Sequence, residues 1–193
     1  GRLNRMGDDM PETLNAWVRA GGTLIATRGA ASWVIEQELT SATIAELETP
    51  EADAARPDNY DALAVWDAEM EISGAIFQTR IDTTHPLAFG YRDAQLPSHR
   101  IGSMAFAGGD NPLALPVRFG ADDPLLSGYA SEEVRRALAG TGAVFAERRG
   151  SGSVILFADD PYYRAYFRGP AKLMMNAIFF GNDFRNPSRR TSD

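Results

Sequence analysis

The sequence predicts an α/β fold whose mostly parallel sheet carries an antiparallel hairpin late in the chain. Three observations lead there. An amphipathic helix pattern, Gly21-Gly22, a short apolar run and a small-residue turn into a second helix follow one another near the start, the rhythm of helices alternating with buried strands. Arg149-Gly150-Ser151-Gly152 separates two apolar runs as a hairpin turn does. Asp159-Asp160-Pro161 then follows the second run and opens an aromatic-rich helical stretch.

The elements follow in order. Asp8-Asp9-Met10-Pro11-Glu12 reads as a helix start, with acids at the positive dipole end and Pro11 in the first turn. Leu14, Trp17 and Val18 fall at i, i+3, i+4 on one face, and Gly21-Gly22 terminates the helix. Thr23-Leu24-Ile25-Ala26-Thr27 is a buried strand, and Arg28-Gly29-Ala30-Ala31-Ser32 turns into a helix carrying Trp33, Val34 and Leu39. A strand is expected before the first helix, and the chain also opens without Met, so it reads as a piece of a longer protein.

From Ser41 to Asp61 the chain is acidic and alanine-rich with two prolines, read as a helix tail and exposed loop, with helix resuming near Ala62–Trp66. Gly74–Asp82 alternates apolar and polar residues, the period of a half-buried strand, and stops at the turn Thr83-Thr84-His85-Pro86. Short strands are expected near Gly102–Phe106 and Ala114–Phe119, around the turn-rich Gly108–Pro112. Ser131-Glu132-Glu133-Val134 is an N-cap with acids in the first turn of a helix reaching Gly140. Gly142–Arg148 and Ser153–Ala158 are the hairpin strands, and the final helix runs to Phe180, restarting at Pro170. One domain over residues 1–184 and a polar tail over 185–193 are the expected organisation.

Composition removes several function classes. With 193 residues, 44% hydrophobic, there is enough to bury in a single core. A net charge of −7 argues against a nucleic-acid binder, which needs a basic face. No apolar run is long enough to span a membrane. The absence of cysteine excludes disulfides, thiolate metal sites and thiol nucleophiles.

Chemistry is hard to assemble from what remains. A zinc site needs three or four converging ligands, and only His85 and His99 are available, neither in an HxxE, HExxH or HxH frame. No metal or catalytic residue is therefore assigned. At the strand-to-helix elbow, where a hydrolase would hold its nucleophile, stand Arg28 and Gly29. Asp159 and Asp160 lie just past a strand's C-terminal end, where α/β folds place ligands, and with Arg164 nearby they are candidate ligand-binding residues. The structural alternative is that Asp160 caps a helix begun by Pro161 while Arg164 pairs with an acid four residues back. His85 completes the candidate set, its structural alternative being a turn residue bonded to backbone near Asp82. Ser32, His85 and Asp159 are the members of an atypical hydrolytic triad, were there one. The aromatics Tyr162, Tyr163, Tyr166, Phe167, Phe179 and Phe180 read as core, or, if exposed, as an interface with the rest of a longer parent protein.

Four stretches together resemble a known family. Leu14–Ala26 is similar to the helix–Gly-Gly–strand of class I glutamine-amidotransferase-like domains. Ile81–Tyr91, Pro124–Tyr129 and Val154–Gly169 with Leu173 and Asn176–Gly181 resemble the amidotransferase-like domain at the C-terminus of a group of bacterial zinc carboxypeptidases. The resemblance spans residues 10–184. It implies a flavodoxin-like, amidotransferase-like three-layer sandwich. It also implies a parent that hydrolyses peptide bonds through a zinc held by an HxxE pair and a distant His. None of those ligands is in this chain, so zinc is expected in the parent's catalytic domain and no cofactor here. True amidotransferases carry Cys at the elbow. Its absence implies a non-catalytic accessory domain that stabilises, oligomerises or gates the peptidase. The expected partners are the peptidase catalytic domain and further copies in a homo-oligomer, and the expected location is periplasmic or secreted. A ligand- or sugar-binding amidotransferase-like module is the alternative.

Overall fold

A computed structural model describes residues 7, 9–46, 57–63, 72–109 and 111–184. The predicted start forms as expected. Helix α1 (Met10–Arg19) has Pro11 in its first turn and ends where Gly21 takes a φ of +124°. Strand β1 (Thr23–Thr27) leads directly into α2 (Gly29–Glu36). Then come β2 (Ala75–Ile81), β3 (Gln95–Arg100), β4 (Val117–Phe119) and β5 (Leu125–Gly128). Helix α3 (Glu132–Leu138) is capped by Ser131, which accepts a hydrogen bond from the Val134 amide. The hairpin strands β6 (Gly142–Arg149) and β7 (Gly152–Phe157) precede the last helix, α4 (Arg168–Phe180). Residues 47–56 of the acidic, alanine-rich segment, residues 64–66 of the helix expected near Ala62–Trp66 and the tail lie outside the described residues.

The α/β class holds, but the expected mostly parallel sheet does not. Seven strands form one sheet in the order β1-β7-β6-β4-β2-β3, with β5 also paired to β2. Among the described strands only β1 and β7 are parallel; every other pairing is antiparallel. A parallel neighbour needs a long crossover, usually helical. The described chain from β2 to β5 supplies only 3₁₀ turns at Pro86–Ala88 and Pro112–Ala114. The helix–strand–helix rhythm at the start was real but belongs to one strand.

Smaller expectations also shift. Gly102–Phe106 makes only isolated bridges at Phe106, while the strand lies just before it, in β3. The last helix starts at Arg168, two residues ahead of Pro170, after a 3₁₀ turn at Tyr163–Ala165. The hairpin is as predicted: Gly150, at φ +65°, and Ser151 form a two-residue link, with the positive φ at the first position typical of hairpin turns. Gly152 is required by a close approach, since a Cβ there would stand 2.1 Å from the Val18 carbonyl oxygen.

Helices cover both faces of the sheet. Along β7, Ile155 and Phe157 point into a core with Leu173, Met174 and Ala177 of α4 and Val134 and Leu138 of α3. Val154 and Leu156 point into a second core with Val18 of α1 and Ala31 and Val34 of α2. Strand β6 divides the same way, Val144 and Ala146 to the first core and Phe145 to the second. Each fully buried Leu, Ile or Phe contributes about 1.5–3 kcal/mol of transfer free energy. The hairpin therefore holds both layers of helices.

Candidate functional site

Strand direction decides which predicted residues can meet. Strands β1, β7 and β3 run the same way, because β3 is reached from β7 through an even number of antiparallel steps. Their C-terminal ends carry Arg28, Asp159 and Arg100 on one side of the sheet. Strand β2 runs the other way, and His85 follows its C-terminal end. His85 therefore sits at the opposite side from Asp159, and the two line separate cavities. A triad of Ser32, His85 and Asp159 is not assembled; the Ser32 hydroxyl instead donates to the Met104 sulfur at 3.2 Å.

His85 is a turn residue. Its Nδ1 accepts the Leu87 amide at 3.2 Å, and its ring packs on Phe184 with centroids 5.1 Å apart. Burial holds its pKa below the usual histidine range, against the pull of Asp82. Accepting through Nδ1 has the same consequence, since a protonated ring nitrogen has no lone pair to offer.

Asp159 belongs to a buried ion pair. Its Oδ2 accepts from Arg100 Nη1 at 3.0 Å, with the side chains 15% and 1% exposed respectively. Arg100 also donates to the Met104 carbonyl, and its guanidinium lies 4.6 Å from the centre of the Phe119 ring. Burial raises the Asp159 pKa, opposed by the Arg100 charge and the Ile101 amide, and burial lowers that of Arg100. Since β3 and β7 are not neighbours in the sheet, this pair ties together two strand ends that no ladder joins.

Around it lies the more exposed chemistry. His99 stacks on Tyr163 with parallel rings 3.8 Å apart. Burial lowers its pKa, helped by Arg164 and Arg28 and opposed by Asp160. Asp160 accepts the Tyr162 amide at 2.8 Å, closing a turn and not capping a helix at Pro161. Arg164 lies 5.2 Å over the Tyr163 ring and has a φ of +51°. The structure thus gathers Asp159, Asp160 and Arg164 at one end and leaves His85 out. The cavity between His99, Asp159, Asp160 and Pro161 is about 30 Å³, room for a water or two and nothing larger.

Arg28 is the unusual residue. It stands between β1 and α2 with φ 51° and ψ −128°, a conformation that costs a non-glycine residue about 1–3 kcal/mol. Its amide is held by the Phe157 carbonyl at 2.9 Å, and its own carbonyl accepts from Ala31 and Ser32. A strand-to-helix elbow with a strained residue at its apex is the geometry that presents a nucleophile in hydrolases. Here the apex side chain is an exposed guanidinium, which has no lone pair with which to attack a carbonyl.

The sequence pointed to Asp159, Asp160, Arg164 and the elbow. It gave no sign of Arg100 or of the His99–Tyr163 stack, which follow from β3, a strand the apolar pattern did not mark. Among the described residues no group of three or more acidic or imidazole side chains converges to hold a metal ion. None of their helices is long and apolar enough to cross a membrane.

No protein-family model matches the sequence, and no curated protein matches it. Among solved structures, a cytoplasmic protein from Salmonella typhimurium is similar, with a TM-score of 0.41 and 13% sequence identity. The similarity covers 88% of this chain and 59% of that one, so the chain spans under two thirds of that protein's length.

Proposed function

We propose that this chain is a non-catalytic accessory domain on an amidotransferase-like framework, serving a zinc carboxypeptidase whose catalytic residues lie outside these 193 residues. The observation that carries the proposal is Arg28. The elbow keeps the strained backbone of a nucleophile apex, φ 51° and ψ −128°, and presents a side chain that cannot act as one. The segments from Ile81 to Tyr91 and Val154 to Gly181 supply the family assignment by resemblance, and with it export to the periplasm or beyond. The three-layer arrangement agrees with the framework; the antiparallel majority of the sheet departs from a flavodoxin-like order.

The test is hydrolysis of a C-terminal peptide-bond panel by the purified chain, with and without added zinc. The expected result is no turnover above background, unchanged in Arg28→Gly; turnover in either condition would refute the proposal. The same variant removes a side chain from a strained position, so it gains about 1 kcal/mol in stability.

A ligand-binding role is favoured by one further arrangement: exposed Arg164 lies 5.2 Å over the Tyr163 ring, which stacks on His99 at 3.8 Å, beside Asp160 at the same end of the sheet as exposed Arg28. Calorimetry with anionic peptides and glycans at millimolar concentration checks it. Heats lost in Arg28→Gly support this role, and no heats remove it.

A further inference from the structure

Helix α4 buries one side, and among the described residues nothing covers the other. Arg168, Lys172, Met175 and Phe179 succeed one another at four- and three-residue steps, along an exposed or half-exposed stripe. Met175 and Phe179, with Ile178 beside them, continue into a larger apolar surface. The Tyr162 hydroxyl donates to the Met175 sulfur at 3.2 Å, Phe179 lies 6.5 Å from Phe180, and Phe180 lies 5.0 Å from Phe89. Tyr162, Met175, Ile178, Phe179 and Phe89 are between 42% and 70% exposed. No charged residue occurs between Lys172 and Asp183, although the whole chain carries −7.

We infer that this face is the two-fold interface of a homodimer in which two α4 helices pack antiparallel. Three features of the face fit a second copy of the same chain. The first is its size. At about 200 Å² for each large side chain, its exposed apolar area is roughly 550 Å². A standard interface takes about 800 Å² from each partner, of which about 65% is apolar in homodimers.

The second is charge. Arg168, in the first turn of α4, and Asp183, three residues past its last, are exposed and flank the apolar stretch that begins after Lys172. With the axis near Met175, antiparallel helices set Arg168 opposite Asp183 of the partner subunit, and the same pair recurs at the other end. One chain thus supplies both halves of a complementary pattern, as an isologous interface requires.

The third is shape. Beside the helix lies a groove of about 430 Å³ lined by Phe89, Gly90, Tyr91, Phe180 and Asp183, among others. Lys172 is tied to its wall, donating to the Gly90 carbonyl at 2.6 Å with its ammonium 4.9 Å from the centre of the Tyr91 ring. The antiparallel register places Phe179 of the partner subunit against Lys172, at the rim of this groove. An aromatic anchor entering a neighbouring pocket is the usual core of a stable interface. This inference stands on α4 and the side chains beside it and does not depend on the role assigned to the elbow.

Sedimentation velocity on the whole chain at micromolar concentrations tests it. The expected species is a dimer of twice 21.0 kDa. Phe179→Asp alters an exposed side chain and gives a monomer with an unchanged circular dichroism spectrum. Asp183→Arg alone weakens dimerisation at least tenfold by setting like charges opposite each other, and adding Arg168→Asp restores it. A monomer throughout, a dimer indifferent to Phe179→Asp, or a charge exchange that fails to restore association overturns the proposal.

Discussion

Replacing Asp159 by Asn removes a charge without changing shape, and leaves the Arg100 guanidinium facing a neutral amide while only 1% exposed. Breaking a buried pair from one side costs about 3–5 kcal/mol, because the remaining charge is left uncompensated. Asp159 is 15% exposed and the Phe119 ring and Met104 carbonyl stay in place, so the lower end, about 3 kcal/mol, applies. Unfolding 193 residues carries an entropy of about 0.4 kcal/mol/K at the midpoint, so the Tm falls by about 7 °C. Urea titration followed by circular dichroism measures the loss, with an unchanged slope confirming that the end states are the same. The double variant Asp159→Asn with Arg100→Met should lose less than Asp159→Asn alone, since no charge is then stranded. A single variant within about 0.5 kcal/mol of the parent, or a double variant worse than both singles together, would refute the reasoning.

Further outcomes follow from other contacts. Glu147 accepts from Thr40 Oγ1 and from the Ser41 amide, both at 2.8 Å, and from the Ser41 hydroxyl; Glu147→Ala strands these donors and costs about 2 kcal/mol in a urea titration. Gly152→Ala forces a Cβ to 2.1 Å from the Val18 carbonyl oxygen and 2.2 Å from that of Gly22, so a loss of about 3 kcal/mol or more is expected, read as a drop in Tm. His85 binds its proton more weakly in the folded than in the unfolded chain, so the unfolded state is protonated first on acidification. Stability therefore falls as the pH drops through about 6.5, with His99, whose pKa is also lowered, adding to the fall; a midpoint denaturant concentration that is level between pH 7 and pH 5, or a fall that is no smaller in His85→Gln, would contradict this. Asp82, held low mainly by the Thr84 hydroxyl, adds its own loss only below about pH 4.

Local chemistry made half of this structure readable in advance. Gly21-Gly22 can only stop a helix, Ser131 with two following acids starts one, and the two residues Gly150-Ser151 leave no room for anything but a hairpin. Strand β3 resisted the same treatment. Gln95-Leu96-Pro97-Ser98-His99-Arg100 contains one aliphatic residue, a proline tolerated because the strand lies at the sheet edge, and an arginine at a buried position. Periodicity reads a buried arginine as a solvent-facing one; only its partner, 59 positions away at Asp159, explains it. Strand β5 is four residues long and mostly exposed, too little signal for any pattern. The antiparallel majority was nonetheless recoverable, because no helical crossover stands between the segments now seen as β2 to β5. The strand end carrying Asp159 and Asp160 was legible for a different reason: a dipeptide of acids after an apolar run and before Pro161 marks a chain leaving a sheet.

The β6–β7 hairpin is the wall shared by two cores, and this sets how the molecule opens. Helices α1 and α2 can separate from one face, or α4 from the other, and the ladder between Val144–Arg149 and Gly152–Phe157 stays bonded in either event. Its amides lose their protection only when both cores are lost together. The hairpin is then the last segment to exchange hydrogen with solvent, and its exchange rate reports the global free energy of unfolding.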